Sequence, residues 1–192
     1  GEDIKNHYEK LNIPKDKIWD GRKFKGSLIV HAEQGIGDEI LFSSMFPDLL
    51  NHCTNLFISA SDRLIGLFQR SFSKIKFIRK SKSFDLKNNS KHILAGSLGK
   101  FFRNSINDFK KNKDPWLVTS KSRLEEFKKC FHDSKKIKIG LAWKSIGIES
   151  EVRNIALYDI VGIFPKDNFE IINLEYGDIE SDKNILEKKD NR

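Results

Sequence analysis

Cysteine is scarce: Cys53 and Cys130 are the only two in 192 residues. Two thiols cannot build a disulfide framework or a four-cysteine zinc site. They are expected to be free in a reducing compartment, which points to the cytoplasm. Nor do His52 and Cys53, or Cys130 and His132, have partners at metal-ligand spacing, so no metal site is expected. No stretch approaches the roughly 18 uninterrupted apolar residues of a membrane span, and no charged-then-apolar leader opens the chain. Methionine is represented once, by Met45, and the chain starts at Gly1; a fragment or trimmed polypeptide is expected from this. Internal repeats and low-complexity tracts are absent.

What is present argues for a folded chain. Hydrophobic residues make up 38%, with 15 phenylalanines, too apolar and aromatic for disorder. The length suits one domain, or one domain and part of another. The net charge of +8 is unevenly placed. Residues 70–138 hold 20 basic and 6 acidic side chains, whereas 1–69 hold 8 and 10, and 149–192 hold 6 and 11. Such a basic middle attracts phosphate, nucleic acid or an anionic surface. The alternative is that lysines merely fill solvated faces, since they follow no single helical face.

Short apolar runs alternate with helical patterns, which predicts a βαβ layout and a parallel sheet. Strands are expected at Ser27–His31, Leu56–Ser59, Ile75–Ile78 and His92–Ala95. A helix is expected to begin at Asp38, with Pro47 loosening its end. Another, capped by Asp62, would bury Leu64, Leu67, Phe68 and Phe72. Residues 79–91 read as a loop, Phe101 and Phe102 as a short helix or turn, and 110–115 as a linker. A helix over 120–132 carries Leu124, Phe127 and Phe131 on one side. A strand from Ile137 to Trp143, a helix near 155–163 and a strand at Phe169–Leu174 follow. Beyond Asp178 the apolar pattern nearly stops. The expected organisation is a lead-in segment over 1–24, a Rossmann-like domain over 25–134, and the start of a second one over 135–192.

The sharpest local pattern is Glu33-Gln-Gly-Ile-Gly-Asp-Glu39, between a strand and a helix. Two glycines allow a tight turn and close approach of a ligand, and the helix start supplies unpaired N–H groups. As a dinucleotide fingerprint it is incomplete: Ile40 stands where the third glycine belongs, and only Asp62 offers a carboxylate near the expected distance. A phosphate-binding P-loop is excluded, because no Gly-Lys-Ser/Thr follows. A Gly-x-Gly turn remains, with Asp38 at the mouth of the sheet. Asp38 is then either a ligand-facing carboxylate or simply a helix N-cap, worth about 1 kcal/mol. His31, on a buried strand, reads as a hydrogen-bonded core histidine rather than a base. Trp19, Trp116 and Trp143 read as packing anchors more readily than as stacking platforms, although Trp143 suits either.

Trp19-Asp-Gly21, Val30-His-Ala-Glu-Gln-Gly-Ile-Gly-Asp38, Gly140-Leu-Ala-Trp-Lys-Ser145, Arg153 and Asn173-Leu-Glu-Tyr-Gly-Asp178 occur in this order. Together they resemble the glycosyltransferase region of bacterial tetratricopeptide-repeat proteins, relatives of the heptosyltransferases, over about residues 17–178. The resemblance implies a GT-B architecture, in which two Rossmann-like domains face across a cleft. It also implies inverting, metal-independent transfer of a sugar from a nucleotide-sugar to an acceptor hydroxyl, with no cofactor beyond that substrate.

Asp38 matches the aspartate placed to take the acceptor proton, a role that chemistry favours because a hydroxyl is a poor nucleophile until a base begins to deprotonate it. Gln34, Gly35 and Gly37 match the turn that approaches substrate. Lys144 and Ser145 match the loop that approaches the donor diphosphate, with Arg153 and Tyr176 as further donor-side positions. Arg153 is equally a surface charge on a loop. The implied partners are the donor, an acceptor protein or glycan, and an anionic inner-membrane surface contacted peripherally; no specific nucleic acid is implied. The family's later donor motif has no counterpart after Asp178, so the chain by itself is expected to bind donor weakly and not to turn over. A non-catalytic Rossmann-like remnant, or a basic module for nucleic acid or anionic surfaces, is the alternative. A nicotinamide-dependent oxidoreductase is disfavoured by the missing third glycine.

Overall fold

The computed structural model describes residues 2–33, 35–80, 89–109, 115–131, 135–145, 152 and 154–190. Gln34, Arg153 and His132 lie outside the described residues, as do 81–88 of the expected loop and 110–114 of the expected linker. The chain divides into two compact units, Gly1–Glu125 and Glu126–Arg192. The division falls inside the helix α6 (Lys121–Cys130).

In the first unit, β1 (Ser27–His31), β2 (Asn55–Ala60), β3 (Lys76–Arg79) and β4 (Ser90–Leu94) form one sheet in the order β3-β2-β1-β4. Every pairing is parallel, and the register sets Ile29 beside Phe57 and His92. This is the first two-thirds of the Rossmann order, with the reversal of direction between β1 and β4. Helices α2 (Ile36–Ser43) and α3 (Asp62–Ser71) connect the first three strands. A parallel sheet needs burial, and β1 has it: Leu28, Ile29 and Val30 are fully enclosed. Leu28, Val30, Leu56, Ile58 and Ile93 meet a phenylalanine cluster of Phe46, Phe68, Phe72 and Phe77. Leu64, Phe68 and Phe72 are buried as the periodicity of α3 predicted, with Leu67 partly so.

Several boundaries differ from expectation. Helix α2 starts at Ile36, and Gly35 occupies its N-cap position. Asp38 therefore stands at the third helical residue and is not the cap. Ser61 takes the N-cap position of α3, and Asp62, its first residue, pairs with Arg79 at 3.3 Å instead of capping. The segment 1–24 is more than a lead-in. It contains α1 (Glu2–Lys10), and its Tyr8, Ile13 and Trp19 are buried. Ile18 extends the sheet by a parallel bridge to His92, while Tyr8 and Ile13 pack against Leu94. The helix α4 (Gly99–Phe102) brings Phe101 and Phe102 against Trp19. A four-residue helix, α5 (Ile106–Phe109), follows, and then α6, which is exposed along its whole length.

In the second unit, β5 (Ile137–Leu141) and β6 (Phe169–Asn173) pair in parallel. A short helix α7 (Leu157–Val161) lies between them in sequence. Where the apolar pattern fades, a helix nevertheless forms, α8 (Glu180–Asp190). The core is small: Trp143, Leu157, Val161 and Ile179, with Leu141, Ile160, Ile171 and Leu186 packed at its margin.

Candidate functional site

In an open α/β sheet, the crevice outside the carboxyl ends of the strands, where strand order reverses, is the usual ligand position. Here that point lies between the ends of β1 and β4. The segment after β1 carries three carboxylates, and the structure sorts them. Glu33 reaches across to the turn after β4, where the Ala95 and Gly96 amides donate to its Oε2 and Oε1, each at 3.0 Å. Glu39 is buried at 3% exposure; the Ser61 amide donates to its Oε2 at 2.9 Å, and Lys80 Nζ stands 3.9 Å from Oε1. Charge-assisted bonds of this kind are strong where water is excluded. The two glutamates thus fasten the β1–α2 turn to the neighbouring strand ends on both sides. Asp38, between them, is half-buried and has no hydrogen bond or ion pair among the described residues.

The glycines of the motif do not serve the tight turn that the sequence suggests. Neither Gly35 nor Gly37 has positive φ. A Cβ at Gly37 would meet nothing within 4 Å, and one at Gly35 would meet only Asp38 Oδ2, at 3.7 Å. They leave open space above the strand end, with the Asp38 carboxylate beside it. Because Gly37 lies within α2, alanine there is expected to stabilise the fold by roughly 0.5–1 kcal/mol, readable as a higher urea midpoint. Gly96 is different: a Cβ would stand 2.7 Å from Glu33 Oε1 and 3.3 Å from the Phe42 ring. Gly96→Ala should displace the Glu33 carboxylate and destabilise by about 1–3 kcal/mol, the penalty for stripping partners from two amides and a carboxylate. Faster hydrogen exchange at the amides of residues 95 and 96 is the local readout.

Behind this crevice lie two histidines. His31 Nε2 and His92 Nδ1 are 2.9 Å apart with rings stacked at 5.2 Å, and Ser90 Oγ is 3.4 Å from His92 Nε2. Burial pushes both imidazoles down to about 4; repulsion from His92 adds to the effect at His31, and Lys17 adds to it at His92. The pair is a neutral, mutually bonded element of the fold, in line with the structural reading of His31. The Leu94 amide donates to Tyr8 Oη at 3.2 Å, and burial raises the Tyr8 phenol, with a smaller contribution from the Glu33 charge.

The donor-side positions belong to the second unit. Lys144 and Ser145 follow β5, but Lys144 Nζ is engaged by Asp182 of α8. The Trp143 and Lys144 amides both donate to Glu175 Oε2 at 2.8 Å, and Asn154 Oδ1 accepts from the Ser145 amide at 2.7 Å. The Lys144 amide foremost, with those of Trp143 and Tyr176, holds the Glu175 carboxyl below its usual range. Tyr176 is 72% exposed, and Gly177 has φ +119° with nothing near a Cβ. Glu175 and Asp182 are thus the organising residues of this edge. Sequence reasoning gave neither a role, because nothing in the local pattern shows that a carboxylate will meet amides some 30 residues away. Glu33 and Glu39 were missed in the same way, although a motif with three carboxylates held the signal.

No family model matches the chain, and no solved structure matches it. Protein FlbA of Caulobacter vibrioides is similar, 24% identical over 184 residues, a match that covers 85% of this chain. It spans 31% of the length of that relative.

Proposed function

We propose that the chain is a glycosyltransferase-like module of GT-B type. In this reading the first unit presents the acceptor-side base, and the second carries the beginning of the donor side. The observation that carries the reading is the sorting of the carboxylates: Glu33 and Glu39 are held by backbone amides, leaving Asp38 unpartnered among the described residues at the switch point. In the reaction, Asp38 takes the proton of an acceptor hydroxyl as its oxygen bonds to the anomeric carbon. The bond from that carbon to the diphosphate oxygen breaks on the opposite face, inverting the centre, and the nucleoside diphosphate leaves with the electron pair. Gln34, Gly35 and Gly37 border the acceptor, while Lys144, Ser145, Arg153 and Tyr176 serve the donor. No metal or cofactor takes part; the nucleotide-sugar is the substrate, and the acceptor is a protein or glycan.

A non-catalytic module is the second reading, and one observation favours it. The groups that would meet a diphosphate are already engaged, Lys144 by Asp182 and two amides by Glu175. The deciding assay is release of nucleoside diphosphate from uridine, guanosine and adenosine diphosphate sugars, by this chain and by the longest native polypeptide that contains it. Transfer by the native polypeptide should fall about 100-fold or more in Asp38→Asn, the usual range for losing a general base, with donor binding unchanged by saturation-transfer NMR. Turnover that ignores Asp38→Asn ends the assignment of the base. A chain that answers to NADH but to no nucleotide-sugar ends the reading altogether.

A further inference from the structure

Helix α6 keeps its apolar stripe on the surface. All ten of its residues are exposed, whereas α3, of equal length, buries Leu64 and Phe68. Leu124 is 43% exposed and Phe127 51%. The Phe131 amide donates to Phe127 O at 3.2 Å, so helical geometry continues to Phe131. Its ring lies nearly parallel to that of Phe127, with centroids 6.4 Å apart. At 3.6 residues per turn, Leu124, Phe127 and Phe131 fall within about 60° of one another around the axis. The charges are sorted about this stripe. Lys121 and Lys128 flank it on the Leu124 side and Arg123 on the Phe127 side, while Glu125 and Glu126 belong to the far half of the helix. The helix also sits within residues 70–138, where basic side chains outnumber acidic ones by 20 to 6.

We infer that α6 is a docking helix for an anionic membrane surface. It lies in the headgroup layer with Leu124, Phe127 and Phe131 turned towards the acyl chains and Lys121, Arg123 and Lys128 among the lipid phosphates. An apolar stripe rimmed by cations, with the carboxylates turned away, is the arrangement an interfacial helix needs. Each cation brought near such a surface strengthens attachment about fivefold. A second copy of the chain is a poorer occupant. Ten residues rising 1.5 Å each give a footprint of about 15 by 10 Å, far below the roughly 800 Å² that each partner of a stable protein pair buries. A two-fold pairing of α6 with itself would also set its cations against the same cations. A nucleic acid would engage the cations through its phosphates and leave the apolar stripe in water. The surface depends on neither Asp38 nor a nucleotide-sugar.

The test is flotation of the whole chain with vesicles of phosphatidylcholine, alone or mixed with an equal part of phosphatidylglycerol. The chain should float with the mixed vesicles and remain behind with the neutral ones. Raising salt from about 0.1 M to about 1 M, which shortens the screening length from about 10 Å to about 3 Å, should release it. Leu124→Ala with Phe127→Ala should weaken binding at least about tenfold, and neutralising Lys121, Arg123 and Lys128 together to Gln about 100-fold. Both variants should unfold at the urea midpoint of the parent chain, which separates lost docking from lost folding. Absence of binding to mixed vesicles, equal binding to neutral ones, or undiminished binding in Leu124→Ala, Phe127→Ala would overturn the inference. So would a concentration-dependent dimer, or binding of a single-stranded oligonucleotide, that this double variant abolishes.

Discussion

Phe68→Ala is expected to remove about 3–5 kcal/mol of stability from the first unit. Phe68 is fully enclosed, with Phe46 5.9 Å away edge-to-face, Phe77 at 5.6 Å and Phe72 at 6.0 Å. Four rings, from the 3-10 helix Phe46–Asn51 before β2, from α3 and its C-terminal cap, and from β3, share one contact zone, so truncating the central one opens a void that none of the others can fill without moving its own backbone. Domains of this size are stable by about 5–15 kcal/mol, so the variant should unfold at a markedly lower urea concentration with little change in slope. Phe127→Ala is the control. Phe127 is 51% exposed on α6 and among the described residues stacks only with Phe131, at 6.4 Å, so its loss should stay within about 0.5 kcal/mol. Equal effects of the two substitutions would mean that the phenylalanine cluster does not form the core.

Acidification between pH 6.5 and 4.5 should destabilise the first unit before most carboxylates titrate. His31 and His92 have their ordinary value of 6.5 in the unfolded chain and about 4 in the fold. Between those values the unfolded chain binds protons that the native state refuses. The stability they confer is therefore fully present above pH 6.5 and is lost as pH falls towards 4. Each imidazole contributes up to about 3 kcal/mol over that interval, a slope of up to roughly 1.4 kcal/mol per pH unit. The two share one hydrogen bond, so their sum is smaller than twice either. Urea unfolding at successive pH values gives the slope, and the His31→Gln, His92→Gln double variant should flatten it whatever its absolute stability. A profile as steep in the double variant would place the protons elsewhere.

The fold was more legible than the site. The runs Ser27–His31 and Leu56–Ser59 were readable as strands because a parallel strand buried on both faces must be apolar almost throughout. The stripe of α3 was readable because Phe68 and its neighbours recur at helical spacing. The polar helices α1 and α8 were not, since among the described side chains of the first only Tyr8 is buried in the core, and Leu186 with the preceding Ile179 anchors the second. One or two apolar residues make no periodicity. Helix starts were misplaced by one or two residues because Asp38 and Asp62 look like caps, whereas Gly35 and Ser61 hold those positions without a side-chain bond.

Asp38 was singled out from its place after a strand and two glycines, but its neighbours could not be read from that place. The carboxylates of Glu33, Glu39 and Glu175 find amides 62, 22 and about 30 residues away, and Lys144 finds Asp182. Sequence by itself determined the alternation of strands and helices, because hydrophobic burial follows local spacing. Which charges meet which amides was decided by tertiary structure alone, because those distances come into being only when the ends of separate strands are brought to one edge of a sheet.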